Sequence, residues 1–566
     1  MLVLSASVSA LTVGTSAFAQ AAPPVDAQSG KPAVSAAEPD TEKAPTGDIV
    51  VTGSRIARPN LSSPNPVTSI QGEEFFHSGS VSIGDQLNQL PQLASTFSQS
   101  NSTRFLGTAG LNLIDLRNLG TQRTLVLVNG RRHVAGDILN SGTSVDTNTI
   151  PTDLIDRVDI VTGGESAIYG SDAIAGVVNF VLKDHFQGLE ARAQSGISTY
   201  GDGSAQFASV LAGKNFSEGR GNIAVNAEYA HQSQYFGSGR DYLNQQSAFI
   251  QVNPNGSAGN PEYRYFNDVR SASYSETGVI RFGGNAALNA GTAPNGQRYY
   301  VPYQFTPDGN LVPLTGQRVG YGPNGSFIGG NGSNFRSGDE FQIQPRLDRV
   351  NVSLVGHYDI SSALVPFVEA TWSHTTVFGS GSSGPAFING TALGGDPRES
   401  FRLDNPYLTA QARGVITANL LAANPNAVIT DATTFRVREI LEGLGNRSEL
   451  SHRDTYRIVA GLKGDFNGNW HYELAANYGE FREKTEVLGN LNIQRFLLAN
   501  DAVKNGSGQI VCRSQVDPNA AYGYDGVISP VNQAKILAND ISSCVPINVF
   551  GGKFTDAQKN YLLQNT

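Results

Sequence analysis

Chemistry in this 566-residue chain would have to begin at two cysteines, eight scattered histidines, a few Gly-rich turns and one β-branched run near the N-terminus. Cys512 and Cys544 are the only thiols. Behind an N-terminus that reads as an export signal they are expected to form a disulfide, contributing roughly 3–4 kcal/mol by closing the loop between them. No CxxC and no HExxH occurs and the histidines lack metal-ligand spacing, so neither a metal site nor another cofactor is expected. The nearest approach to a nucleophile elbow, Gly164-Glu165-Ser166-Ala167-Ile168, has isoleucine where the sharp turn requires glycine. G-x-G-x-x-G occurs at 320–325 and 379–384, but a dinucleotide fingerprint needs a strand before it and a helix after it. The residues after the two matches, Ser326-Phe327-Ile328-Gly329-Gly330 and Pro385, are loop sequence. These residues point away from an enzyme. Asp48-Ile49-Val50-Val51-Thr52 offers something else, a short run whose free backbone N–H and C=O groups can add as a strand to a partner's sheet edge.

Composition narrows what could position such features. Gly is 63 of 566 residues and charged side chains are only 16%, against about 25% in ordinary soluble domains. No stretch beyond the N-terminus approaches the roughly 18 apolar residues of a spanning helix, and mean hydropathy is −0.23. A membrane β-barrel stays open, because its strands alternate apolar and polar residues and look mild on average. The net charge of −9 argues against a nucleic-acid partner, which needs Lys and Arg against phosphate. Residues 1–19 read as a signal peptide ending in the Ala17-Phe18-Ala19 pattern, although no basic residue precedes Lys31, so the true start is expected upstream. Residues 20–47, rich in Ala, Pro and acids, read as a disordered linker.

From 56 to 185 the pattern is that of a small mixed α/β unit. A short amphipathic helix is expected over 82–90, with Ser82 as N-cap and Pro91 as stop. Strands are expected at 111–117, at 123–132 with a turn at Asn129-Gly130, at 158–161 and at 177–182, and one or two helical turns at 152–157. The runs LRNLGTQRTLVLVNGRR (116–132) and IPTDLIDRVDIVTGGESAIYGSDAIAGVVNFVLK (150–183) resemble the plug domain of TonB-dependent outer-membrane receptors, and Asp48–Thr52 resembles their Ton box, within 48–55.

Beyond Gln187 the period becomes two. Trp470, Tyr472, Leu474, Ala476 and Tyr478 alternate with His471, Glu473, Ala475, Asn477 and Gly479, and similar alternation recurs at 223–229 and 350–359. Strands are expected near 188–198, 204–214, 221–233, 346–359, 363–376, 453–464 and 469–486, joined alternately by short turns and by long Gly-, Asn- and Pro-rich connections. Short periplasmic turns and long external loops are the habit of bacterial barrels, and aromatics such as Tyr358, Trp372, Tyr456, Trp470 and Tyr478 would mark the membrane interfaces.

The resemblance thus implies an α+β plug followed by an antiparallel transmembrane β-barrel over 187–566, the first third of a barrel of about 22 strands. It reads as a fragment, since the family tends to end on an aromatic residue whereas this sequence ends Leu563-Gln564-Asn565-Thr566. The function implied is uptake of a scarce solute (siderophore, cobalamin or oligosaccharide) across the outer membrane, energised through TonB at Asp48, Ile49, Val50, Val51 and Thr52. The plug must then be held by polar contacts that can rearrange, and Arg117, Arg123, Arg131, Arg132 and Glu165 are the candidates for plug–barrel contact. Two alternatives stay open, a truncated fragment that only binds TonB and a passive outer-membrane channel or adhesin.

Overall fold

The computed structural model describes residues 66–76, 81–104, 107–136, 144–240, 246–257, 259–282, 291–333, 342–382, 386–388, 399–466, 470–521 and 530–566. The stretches read as signal peptide, linker and Ton box (1–55) lie outside the described residues.

The plug comprises β1 (Val67–Gln71), α1 (Ile83–Leu87), β2 (Thr124–Val128), β3 (Arg131–Arg132), β4 (Ile155–Thr162) and β5 (Gly176–Leu182). Its five strands form one mixed sheet in the order β1-β4-β5-β2-β3. The apolar run in β2 is buried on both faces and lies parallel to β5. Asn129 and Gly130, with φ of 50° and 73°, supply the left-handed turn that returns β2 onto β3.

Three local expectations are corrected. Residues 111–117 form no ladder strand beyond an isolated bridge from Leu116 to Leu93. Their backbone is instead satisfied by side chains and loops: Asn112 N–H donates to Asp146, Leu116 N–H to Thr124 Oγ1 and Leu113 N–H to the Phe97 carbonyl. The expected helical turns at 152–157 give way to β4, which already begins at Ile155 and draws Val158 and Ile160 into the core. Finally, α1 spans only 83–87 and Ser82 does not cap it, because its hydroxyl donates to Asn148 Oδ1 at 3.1 Å.

Seven strands, interrupted in sequence by the shorter strands of the long connections, form an antiparallel wall beside the plug: Gly188–Gly196, Ala205–Phe216, Gly221–Gln232, Arg346–Tyr358, Val365–Ser382, Arg447–Phe466 and Trp470–Leu488. Each pairs with the wall strand before and after it in this order, and among the described residues the first and seventh have a single wall neighbour, so the sheet is open. The alternation decides its two faces. Val210, Ile223, Val225, Val352, Ile458 and Leu474 are exposed outward, whereas Asn226, Glu228, Asn351, Ser353 and Arg457 are buried against the plug. Stacked Phe216 and Tyr358, and stacked Phe466 and Tyr472, edge this apolar band at the short-turn end. Toward the other end it gives way to Trp372, Tyr456 and the outward pairs His231–Asp348 and His374–Asp454. Among the described residues no helix is long and apolar enough to cross a membrane.

The last three wall strands have 18, 20 and 19 residues, well over the roughly 9–11 that cross a bilayer. Their excess leads into connections that are not merely loops. Segments from both long connections and from the stretch after the last wall strand pack one apolar core containing Ile280, Phe305, Phe401, Ile416, Phe435, Phe496 and Phe550. Helix Ala410–Ala423, capped by Thr409, and helix Asp556–Leu562, with a Thr555/Gln558 capping box, border it. Gly, Asn and Pro between widely spaced apolar residues conceal such a core from a periodicity argument. Cys512 and Cys544 lie inside this cap, bonded across Cα atoms 6.2 Å apart. Replacing both by serine is expected to cost the cap roughly 3–4 kcal/mol; an unchanged denaturation midpoint under cap-selective proteolysis would show that the bridge is idle.

Candidate functional site: the plug and wall interface

The wall's inward face carries charge, and period two puts it there. Along the sixth wall strand Glu449, Ser451, Arg453, Thr455 and Arg457 all turn to the plug and all are buried. Neighbouring strands add Arg192, Glu228, Arg349 and Glu369. Charges so placed must be paired or hydrogen-bonded, and the plug supplies the partners.

At one level Glu369 collects three donors. Its Oε1 accepts from Asn129 Nδ2 at 2.7 Å and Arg131 at 2.9 Å, both on the plug hairpin, and its Oε2 accepts from wall residue Arg457 at 3.1 Å. Arg131 also pairs with Glu473 at 2.8 Å and lies 4.6 Å from the Phe367 ring centre. At a second level plug residue Asp153 accepts from Arg192 at 2.6 Å and from Ser209, and its N–H donates to Glu228 at 3.0 Å. At a third, Arg349 donates to Asn148 Oδ1 and to the Val81 carbonyl, both at 2.9 Å, while Asn351 donates to the Asn148 carbonyl at 3.1 Å. The fourth level is a clamp on the plug loop 107–110. Arg453 donates to the carbonyls of Ala109 (2.6 Å) and Gly107 (3.0 Å), and Glu449 accepts from the N–H groups of the same two residues. Approach there is close, since a Cβ on Gly379 would stand 2.4 Å from the Ala109 methyl.

The residues expected at this interface divide. Arg131 sits in the Glu369 hub. Arg132 turns back into the plug, to Asp172 and the Tyr169 carbonyl, and only its own carbonyl meets the wall, through Asn477 at 2.9 Å. Arg117, with φ of 58°, is exposed and pairs with no carboxylate among the described residues. Arg123 is exposed and donates to the Leu119 carbonyl at 2.8 Å. Glu165 is buried where its carbonyl receives the N–H groups of Ile168 and Tyr169. The expectation looked for charged residues on the plug; the structure adds Arg192, Arg349, Arg453 and Arg457 from the wall, the last two lying in the polar alternation at 449–457. Of the glycine motifs, 320–325 joins strands Gln317–Val319 and Ser326–Ile328, and Gly379 is part of a wall strand, so neither opens a helix.

Behind the interface the plug holds buried polar groups. Burial pushes the carboxyl groups of Asp85 and Asp146 up, against N–H donation from Gln99 to Asp85 and from Asn112 and Asn148 to Asp146. Burial, with Arg457 close by, pulls the His133 imidazole down to about 3, and its Nε2 lies 2.9 Å from Thr149 Oγ1. Among the described residues no group of three or more His, Cys, Asp or Glu is placed to hold a metal.

The family model of the TonB-dependent receptor plug domain matches residues 59–177. This stretch is thus a plug domain of the TonB-dependent receptor type. Similar solved structures include the siderophore receptor PiuA from Acinetobacter baumannii, at 12% identity over 80% of this chain and 48% of that one, with a TM-score of 0.32. The ferric enterobactin receptor of Pseudomonas aeruginosa (15%, 75% and 55%, 0.30) and its siderophore receptor PirA (12%, 75% and 54%, 0.28) are also similar. The chain spans about half the length of these structures.

Proposed function

We propose that the protein is an outer-membrane receptor that takes up a scarce solute, a siderophore complex, cobalamin or an oligosaccharide, by energised displacement of its plug. The observation that carries this reading is the character of the plug and wall interface. Beside smaller apolar contacts such as Val81 with Phe207 and Ala109 with Leu347 and Val377, four levels of charge-assisted hydrogen bonds, many of them to plug backbone, hold the plug. Such contacts can be exchanged for water or for one another, which a permanently closed channel would not need. The outward apolar band suits a lipid surface. Asp48–Thr52 then serves as the strand offered to TonB in the periplasm.

Deleting Asp48–Thr52 is expected to abolish uptake while ligand still binds intact cells. The measurement is accumulation of labelled ferric siderophore, cobalamin or oligosaccharide, whichever binds, beside surface binding of the same compound. Undiminished accumulation would make the protein a passive channel instead.

A further inference from the structure

The cap contains arginines of two kinds. Arg270, Arg402, Arg495 and Arg513 each pair with an aspartate, at 2.8–3.1 Å. Arg281, Arg318 and Arg438 pair with no carboxylate among the described residues, and they stand together. Arg281 lies on strand Val279–Phe282 and Arg438 on strand Arg438–Ile440, which are neighbours in one five-stranded sheet. Ile280, Phe282 and Phe305 of this sheet enter the cap core, and alternation sends Arg281 to the opposite face. There its guanidinium lies 5.4 Å from the Tyr300 ring centre and donates only to neutral oxygens, Asn324 Oδ1 at 2.5 Å and Ser273 Oγ at 3.3 Å. Arg318 lies 4.7 Å from the Tyr299 ring centre and 4.6 Å from that of Phe327. It donates to the carbonyls of Pro323 and Asn324, while its buried Nε has no partner. Burial and like charge leave their mark: both Arg281 and Arg438 are pulled below the ordinary arginine range, Arg281 by burial and then by Arg438, Arg438 by burial and then by Arg436. Burial pulls Arg318 down to about 10.

Gathering cations without anions is unfavourable unless something negative completes the set. Guanidinium groups layered on tyrosine rings are suited to planar oxyanions and to flat conjugated groups that continue the layers. We infer that this face of the cap binds a small soluble polyanion bearing a flat conjugated ring, held by Arg281, Arg318 and Arg438 and stacked beside the partly exposed Tyr300. Among the solutes of the proposed uptake function this selects an anionic chelate over a neutral sugar, and to that extent the inference rests on that function. Its binding step does not, since it requires neither the Ton box nor transport.

The test uses the full chain, purified free of lipopolysaccharide, and calorimetry with trimesate, a benzene ring carrying three carboxylates. Trimesate is expected to bind, and to bind more tightly than its cyclohexane counterpart and than neutral maltotriose. Arg281→Gln and Arg438→Gln are each expected to weaken it about tenfold, the loss of one charge-assisted hydrogen bond. Arg402→Gln, which alters a paired cap arginine, should leave binding unchanged and so reports on folding of the cap. Equal binding by the Arg281/Arg438 double variant, or maltotriose binding as tightly as trimesate, would overturn the inference. Displacement of trimesate by added lipopolysaccharide would assign the cluster to membrane phosphates and overturn the soluble ligand. Deleting Asp48–Thr52 should not change trimesate affinity, so a failed uptake function and a failed binding site give different results.

Discussion

Glu369→Ala is expected to loosen the plug more than any other single change at its border. The substitution removes the acceptor of Arg457, which is 2% exposed, of Arg131 and of Asn129 at once. A buried cation left without its counter-ion costs on the order of 3–5 kcal/mol. Arg131 keeps Glu473 and is partly rescued, whereas Arg457 keeps only a long contact to the Val128 carbonyl at 3.5 Å. The readout is hydrogen exchange of the β2 and β5 amides in the full chain: they should exchange faster by two or more orders of magnitude, using about 1.4 kcal/mol per decade. Glu369→Gln, which keeps an acceptor but not the charge, should fall between. Pairing Glu369→Leu with Arg457→Met should recover part of the loss, because an apolar pair replaces a broken ionic one. Unaltered exchange in Glu369→Ala would mean that Glu369 does not hold the plug.

The second large effect is one of pH. His133 titrates at about 3 in the folded plug against about 6.5 in an unfolded chain. Between these values only the unfolded chain takes up the proton. Its contribution to stability is therefore complete above about pH 6.5 and is lost as pH falls, at up to about 1.4 kcal/mol per unit and on the order of 5 kcal/mol over the whole window. Asp85 and Asp146, both raised by burial, act in the opposite sense, since what they contribute is present in acid and lost as pH rises through their folded values. The clean measurement is thus a difference, urea denaturation of the wild type and of His133→Gln from neutral pH down to about pH 4.5. Glutamine can keep the hydrogen bond to Thr149 but carries no proton switch. The gap between the two profiles should shift steadily in favour of the variant as acid is added, and parallel profiles would show that His133 is not the group responsible.

How far such residues could be foreseen depended on the kind of order that positions them. Strong period two at 188–232, 346–376 and 453–486 located all seven wall strands, with ends up to six residues short at 382 and 447, because a sheet with one apolar and one polar face writes that alternation directly into sequence. The Asn129-Gly130 turn was equally visible. Residues 111–117 misled because a buried loop satisfied by Asp146 and Thr124 side chains has the composition of a strand. The partners of Arg131 and Arg132 could not be foreseen either. Both are solvent-compatible cations in adjacent positions, and only the returning wall strands make one a hub and leave the other inside the plug. The cap core escaped because Phe305, Phe401, Phe435 and Phe550 come from distant connections without any shared period.

The wall arginines grip carbonyls as well as side chains, at Val81, Gly107 and Ala109. A carbonyl recurs at every residue of an extended chain, at a rise of about 3.3 Å. A guanidinium released from one oxygen therefore has a near-identical oxygen within a short slide, whatever side chain that residue bears. Resistance to traction on the plug would come as a staircase of small steps rather than one high barrier, and a modest force applied for long enough could draw the segment through.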